Sequence, residues 1–355
     1  MGPTPGTVAT VLVGFGHGGR VFHAPLIAHE PGLELAAIVT RSPDRRAEAR
    51  AAHPGAVVTA TLEEALRAVP EVGLAVISTP PRTHAPLAAA AIGRGLHVVV
   101  DKPFVVRAAD GERLADAARA AGRLLVPFHN RRWDGDFLTV QSLVSSGALG
   151  RVRAFESAME SWKASVTKPW KRDATADEGG GVLYDLGPHL IDQALVLFGP
   201  AVPVYAELGT EREGAAAEDS LFLVLDHEGG VRSHLHAGTL VPLARPRFRV
   251  TGTAAGLTIT GSDPQEDLLA AGVRPDDLPA AVGTPGAGGG RGQLAHAGRA
   301  EPLPVGPGAY PFFYARLAAA VRGEGPPPVE AEDALAVTRI IEQVHASFPA
   351  RSSSE

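Results

Sequence analysis

Thr7-Val8-Ala9-Thr10-Val11-Leu12-Val13-Gly14-Phe15-Gly16-His17-Gly18-Gly19-Arg20 is the stretch on which the fold of this chain turns. A short run rich in β-branched residues ends in Gly14-x-Gly16-x-x-Gly19, and a helical pattern follows. Gly14 permits the tight strand-to-helix turn, Gly16 lets the backbone approach a pyrophosphate, and Gly19 lets the helix pack on the strand. The open N–H groups and positive dipole of the helix start favour an anion. Gly14, Gly16, His17, Gly18 and Gly19 are therefore candidate cofactor-binding residues.

The chain keeps this grammar beyond the turn. Val8–Val13, Leu33–Val39, Leu74–Ser78 and His97–Val100 are short apolar runs of the kind buried in a parallel sheet. Asp44–Ala52, Leu62–Ala68, Thr83–Arg94 and Ala108–Ala121 read as helices between them. Ser42-Pro43 and Thr61-x-x-Glu64 mark helix starts, the second with capping-box spacing, while Gly95 and Gly122 mark stops. The alternation predicts an α/β N-terminal Rossmann domain, a doubly wound parallel sheet with right-handed crossovers, over residues 1–127.

A second, α+β domain is predicted over residues 128–350, built on a large, mainly antiparallel open sheet. Its strands are Val152–Glu160, Val204–Leu208, Leu221–Asp226, Val231–Ala237, Phe248–Gly252 and Leu257–Thr260. A helix over Leu186–Phe198 interrupts them, and Pro311–Val321 and Ala331–Ala346 close the chain. Val273–Gly308 is rich in Gly, Pro and Ala and reads as a long loop with at most one edge strand. Arg351–Glu355 reads as a frayed tail. Leu221, Leu223 and Leu225 point to one face of their strand, Phe222 and Val224 to the other. Both faces being apolar, the second needs a helix or another subunit, so a homodimer or homotetramer through this sheet is expected.

The 355 residues are 45% hydrophobic, enough for a sizeable core in one large or two ordinary domains. A net charge of −6 argues against a nucleic-acid partner. No cysteine is present, which excludes disulfides, thiolate metal sites and a cysteine nucleophile and is compatible with a reducing cytoplasm. The N-terminal run has no basic region before an apolar stretch, and no run approaches the ~18 apolar residues of a membrane span, so neither a signal peptide nor a membrane partner is expected. Of 33 basic residues only Lys102, Lys163, Lys168 and Lys171 are lysines. A lysine here is less easily dismissed as generic surface charge.

Three further clusters carry chemistry. Ser78-Thr79-Pro80-Pro81-Arg82-Thr83-His84 directly follows an apolar strand, at the end where parallel sheets take ligands, and Thr83 is placed to cap the next helix. Asp101-Lys102-Pro103 follows His97–Val100 at the same crevice, where a lysine can stabilise a developing alkoxide. Gly179-Gly180-Gly181 precedes Asp185 and His189, four apart at the opening of a helix and so on one face, where the carboxylate orients an imidazole that moves a proton. Each has a plain structural reading: a Pro-rich turn, a solvent-facing lysine, a cap beside a packed histidine. With Asp192 the last pair also has metal-ligand character, but the other signals favour a nicotinamide site, and no metal is expected.

In this order these residues resemble the Gfo/Idh/MocA oxidoreductase family. The resemblance covers nearly the whole chain and rests on Gly14-x-Gly16-x-x-Gly19, Thr79-Pro80, His84, Asp101-Lys102-Pro103 and Gly180-Gly181 followed by Asp185-x-x-x-His189. Phe22-His23-Ala24-Pro25-Leu26, the run from Phe128 to Asp134 and the run from Asp185 to Ala194 look closer to its NADP-dependent scyllo-inositol dehydrogenase-like branch. The family form of the lysine motif is Glu-Lys-Pro, so the acid here is one methylene shorter. The resemblance implies reversible hydride transfer between nicotinamide and a sugar or cyclitol carbon, with Lys102, Asp185 and His189 catalytic. It also implies that Ser78, Thr79, Pro80, His84, Asp101 and Lys102 line the cofactor. His129, Asn130, Arg131 and Trp133, after the last Rossmann strand, are expected to face the substrate together with Asp185 and His189.

The second strand runs from Leu33 to Val39 into Thr40-Arg41-Ser42, with no Asp or Glu to take a ribose 2′-hydroxyl. Arg41 suits a 2′-phosphate, so NADP is expected over NAD. Two alternatives share the fold: a non-catalytic NADP-binding sensor, and a reductase of a different small carbonyl or diene substrate.

Overall fold

The computed structural model describes residues 6–165, 172–278 and 289–352. Lys168, Lys171 and the last three tail residues lie outside them. β1 (Val8–Val13) enters the glycine turn, which continues as one wide helical turn over Gly18–His23 and then α1 (Ala24–His29). There follow β2 (Leu33–Val39), α2 (Pro43–Ala52), β3 (Val57–Thr59), α3 (Leu62–Ala68), β4 (Leu74–Ile77), α4 (His84–Ile92), β5 (His97–Val100), α5 (Ala108–Ala120) and β6 (Leu125–Pro127). The six strands form a parallel sheet in the order β3-β2-β1-β4-β5-β6. The chain winds outward from β1 on one side and from β4 on the other, which opens a crevice at their carboxyl ends. Val11, Leu12, Ala75, Val76, Val98 and Val99 are fully buried, because helices cover both faces; hence the unbroken apolar runs. Ser42 accepts from the Arg45 amide to cap α2, and Thr61 and Glu64 close a capping box on α3. β3 carries too few residues to have shown a pattern in the sequence.

The chain continues through α6 (Gly135–Ser145), β7 (Val152–Glu160), α7 (Val182–Asp185) and α8 (Gly187–Phe198). Then come β8 (Ala201–Thr210), β9 (Ser220–His227), β10 (Arg232–Gly238), β11 (Phe248–Gly252), β12 (Gly256–Thr260), α9 (Gln265–Ala270), β13 (Arg291–His296) and β14 (Arg299–Leu303). It ends in α10 (Pro311–Val321), α11 (Ala331–Ser347) and β15 (Arg351–Ser352). The second sheet has nine strands in the order β14-β13-β12-β11-β7-β10-β9-β8-β15. Only β7/β10 and β8/β15 pair in parallel among its described pairs.

Two expectations are corrected. The stretch expected as a loop with at most one edge strand holds two, β13 and β14, joined as a hairpin that extends the sheet from β12. Their sequences are poor in β-branched residues, so pairing with β12 rather than local propensity makes them strands. Arg351–Ser352 is not frayed but pairs with Gly209 and Thr210. The helix expected over Leu186–Phe198 is present as α8, with the four-residue α7 ending just before it at Asp185. Pro188 has no N–H to continue the ladder, and the His189 and Leu190 amides both turn back to the Leu186 carbonyl.

Leu221, Leu223 and Leu225 face the core of the second sheet, where they meet Leu190, Ile191 and Ala194 of α8 and Val337, Ile340 and Ile341 of α11. On the other face Phe222 stacks on His236 at 4.7 Å, and Val202, Val204 and Tyr205 are exposed by 57%, 44% and 43%. α10 goes elsewhere: Phe313, Tyr314 and Leu317 pack with Phe15, Val99 and Phe128 of the parallel-sheet side. Phe128–Phe313 and Trp133–Phe313 are edge contacts at 4.7 and 5.7 Å. No helix among the described residues is long and apolar enough to cross a membrane.

Candidate active site

The glycine turn is built by close approach. A Cβ on Gly14 would lie 2.0 Å from the Ser78 carbonyl oxygen, and one on Gly19 2.1 Å from the Gly14 carbonyl oxygen. A Cβ on Gly18 would meet Ser78 Oγ and Asp101 Oδ2 at 2.6 and 2.7 Å. Gly16 differs, since among the described residues the only atom within 4 Å of its Cβ position is Arg45 Nη1 at 3.9 Å. Three glycines thus make room for protein and the fourth leaves its face open, which is the arrangement a pyrophosphate needs. A dinucleotide fits this cradle, with Gly14 to Gly19 around its phosphates.

Asp101 braces the floor of the crevice. Its carboxylate accepts from Ser78 Oγ at 2.8 Å and from the Lys102 amide at 2.7 Å, and lies 3.3 Å from His23 Nε2. Burial would raise this carboxyl, but His23, Lys102 and Ser78 outweigh it and hold it well below the usual carboxylate range. His84 is fully buried, with Nδ1 2.8 Å from the Pro103 carbonyl oxygen and Nε2 2.8 Å from that of Thr79. It ties the cofactor-side loop to the lysine loop from beneath. Thr83 makes no side-chain cap to α4; its hydroxyl turns to Thr79 Oγ1 and the Pro80 carbonyl, both at 2.7 Å.

The Lys102–Pro103 peptide is cis, and Lys102 stands just past the carboxyl end of β5. Its Nζ donates to the Asp185 carbonyl at 2.9 Å and to Asp185 Oδ1 at 3.1 Å. Asp185 is held for this by α7, which needs the glycines before it. A Cβ on Gly180 would lie 2.1 Å from the Ala174 carbonyl oxygen, and Gly181 has φ +88° with the Glu218 carboxylate against it. The sequence pairs Asp185 with His189; the folded chain pairs its carboxylate with Lys102. His189, one helix later, is buried, and its Nδ1 has no hydrogen-bond partner among the described residues. Burial first, then the charges of Lys102, Arg131, His129 and Arg247, push its pKa well below 6.5. Its ring is neutral at physiological pH, ready to accept a proton.

The remaining predicted residues divide. Arg131 reaches the crevice, donating to Asp134 Oδ2 at 3.2 Å and Glu266 Oε2 at 3.0 Å. His129 is buried, both its ring nitrogens lack a hydrogen bond among the described residues, and Nε2 lies 3.9 Å from Asp192. Asn130 is buried in the short turn before α6. Trp133 belongs to the aromatic core against Phe313 rather than to an open face. Asp192 accepts from Arg132 Nη2 at 2.6 Å and Arg132 Nε at 2.9 Å, so it serves as that cation's counter-ion. Among the described residues no group of three or more His, Cys, Asp or Glu side chains is arranged to hold a metal. The charges missed by sequence reading are Glu266, 249 residues from the His17 it bonds, and Arg45 beside Gly16. Neither has a motif around it that could have marked it.

Residues 8–129 match the model of the oxidoreductase family with an NAD-binding Rossmann fold, and residues 137–258 match the GFO/IDH/MocA C-terminal domain. The chain belongs to the Gfo/Idh/MocA oxidoreductase family. Among its relatives in that family is the uncharacterised oxidoreductase YdgJ of Escherichia coli, 38% identical over 93% of each chain. The NADP(+)-dependent scyllo-inositol 2-dehydrogenase IolW of Bacillus subtilis is 35% identical over 95% of this chain and 92% of its own. The solved YPO2259 structure from Yersinia pestis superimposes with a TM-score of 0.86 at 38% identity, over 98% of this chain and 96% of that one. This Gfo/Idh/MocA member is thus an oxidoreductase with an NAD(P)-binding Rossmann domain.

Proposed function

We propose that the protein is an NADP-dependent dehydrogenase acting on a CH–OH carbon of a small, neutral, polyhydroxylated ring, with a cyclitol of the scyllo-inositol type as the leading substrate. The observation that carries this reading is Lys102, tied to Asp185 at the carboxyl end of the central sheet, facing the side where a buried neutral His189 waits. When bound, the nicotinamide accepts or returns the hydride. His189 takes the hydroxyl proton in oxidation and gives it back in reduction. Lys102 holds the developing oxyanion. Asp185 fixes the direction of the lysine by accepting two of its three N–H groups.

Charge balance supports a neutral substrate. Lys102 is paired with Asp185, Arg131 with Asp134 and Glu266, and Arg132 with Asp192 and Asp333. Each of these described cations has a carboxylate partner, which disfavours a sugar acid or sugar phosphate at this point of the crevice. The name of IolW supports the cyclitol choice. The test is a panel of polyols and aldoses offered with NADP+ and NAD+ and followed at the absorbance of reduced nicotinamide. Turnover of cyclitols or close sugars bears the reading out. Turnover confined to aromatic dihydrodiols or tetrapyrroles overturns the substrate, and flat traces throughout favour the sensor alternative. A cytoplasmic location accords with a chain lacking cysteine.

The preference for NADP rests on the end of β2, where Thr40-Arg41-Ser42 offers no acid to a ribose. Arg41 and Arg45 are both exposed there, and Arg45 is the cation nearest Gly16. Charge-assisted bonds to a 2′-phosphate are worth about 1.5–3 kcal/mol each. Arg41→Ala should therefore weaken NADP+ binding by on the order of 10-fold or more, with NAD+ binding little changed. Equal efficiency with both cofactors in the unaltered enzyme would count against the assignment.

The exposed Val202, Val204 and Tyr205, beside Phe222 and His236, support a homo-oligomer formed through the open face of the second sheet. A closed two-fold contact is the commonest way to cover such a face. Light scattering at micromolar concentration should give a dimer or tetramer mass, and Val204→Glu with Tyr205→Glu should lower it. A monomeric mass for the unaltered chain is the contrary result.

A further inference from the structure

Glu266 lies at a junction of three parts of the molecule. His17 Nε2, in the glycine turn, donates to its Oε1 at 3.0 Å, and Arg131 Nη2, in the loop between β6 and α6, donates to its Oε2 at 3.0 Å. Lys102 is close enough to act on it electrostatically. We propose that Glu266 is a positioning residue that couples the dinucleotide turn to the substrate loop, each oxygen of one carboxylate holding one side of the crevice. The inference rests on the function proposed above and extends it from the reacting groups to the part that aligns them.

The setting of α9 makes the argument. Its start is bolted to the substrate loop: the Gly135 amide donates to Asp263 Oδ2 at 2.7 Å and Gln265 Nε2 to the Trp133 carbonyl at 3.1 Å. The Tyr310 amide donates to Gln265 Oε1 at 2.8 Å. These bonds are buried and tie the start of α9 to the substrate loop and to the start of α10. Glu266 carries the polar link onward to His17. Its carboxyl is held down to about 2, first by the His17 hydrogen bond and then by Arg131 and Lys102, against the opposing effect of burial. It stays ionised wherever the enzyme works, so the link is permanent. The opposing reading is a solvated surface ion pair that contributes little and touches nothing else. Against it, although His17 is 41% exposed, the Glu266 carboxylate is 32% exposed and its other partner, Arg131, only 16%, itself paired to the buried Asp134.

The test uses Glu266→Ala, Glu266→Gln and the double variant with His17→Ala in the full-length enzyme. NADPH affinity is read by fluorescence titration without substrate; kcat and the KM for scyllo-inositol are read by turnover. Glu266→Ala should weaken NADPH binding about 5- to 10-fold and raise the substrate KM by a similar factor, while kcat changes less than ~3-fold. Glu266→Gln, whose amide oxygen can accept from Arg131 and whose amide nitrogen can donate to a His17 ring nitrogen, should recover most of both losses. The double variant should bind NADPH no more weakly than the poorer single. Unchanged NADPH affinity and KM, with or without a lower melting temperature, would overturn the proposal; so would a fall in kcat alone. If the unaltered enzyme turns over no polyol, the substrate reading fails by itself, and the NADPH titrations still decide whether Glu266 acts on the cofactor turn.

Discussion

Lys102→Ala should lower turnover by on the order of 10²- to 10³-fold while leaving the fold and NADPH affinity close to normal. The ammonium has three donors, and Asp185 takes two of them, one through its carbonyl and one through Oδ1. The third is left for a substrate oxygen, in a direction the Asp185 clamp defines. Apolar packing does not depend on this side chain, which is partly exposed at a strand end. The pH profile should move as well. Burial and then Lys102 head the causes that hold the His189 pKa well below 6.5, so the acid limb for alcohol oxidation should lie below that pH. Removing the lysine charge lets the histidine bind a proton more readily, so the acid limb of the residual activity should shift upward. His189→Ala should cost a similar factor, and the double variant little more than the poorer single, since the two groups act on one proton and one oxygen. Near-normal turnover in folded Lys102→Ala protein would remove the lysine from the chemistry.

Gly14→Ala should destabilise the protein by about 3 kcal/mol or more and abolish dinucleotide binding. Gly14 has φ +107°, a region L-residues avoid, and its Cβ would sit 2.0 Å from the Ser78 carbonyl oxygen. Both partners are main chain at the ends of β1 and β4, the central strands, so neither can move aside. Gly16→Ala is the contrast: its Cβ meets only the end of a flexible Arg45 side chain at 3.9 Å. That variant should melt like the unaltered protein and lose NADPH affinity alone, because the methyl occupies the approach of the phosphates. Thermal unfolding and NADPH titration of the two variants separate the structural glycine from the ligand-facing one. A Gly14→Ala protein with an unaltered melting temperature would contradict the close packing of the turn.

The parallel sheet was legible because its signals are local. Buried strands such as Val8–Val13 and His97–Val100 are apolar without interruption, and Thr61 and Glu64 close their capping box within one turn. The glycine turn was legible for the same reason, since steric demands at Gly14 and Gly19 are met by residue type alone. Strands made by their partners were harder. β13 and β14 are held by β12, and β15 by β8, with little in their own side chains to announce them.

By itself, then, the amino-acid sequence determined the Rossmann-type sheet, the antiparallel second sheet and the candidates Lys102, Asp185 and His189. Each depends on periodicity, a glycine or a charge at a fixed short spacing. Only the tertiary structure decided who partners whom. Spacing marked Asp185 beside His189, and the fold brings Lys102 Nζ, 83 residues earlier, onto the Asp185 carbonyl and Oδ1. Trp133 and His84 were drawn inward to packing and to backbone carbonyls. Glu266 joined His17 across 249 residues of chain. Contacts at such separation are set by how the two sheets and their covering helices pack as bodies, and no spacing along the chain encodes them.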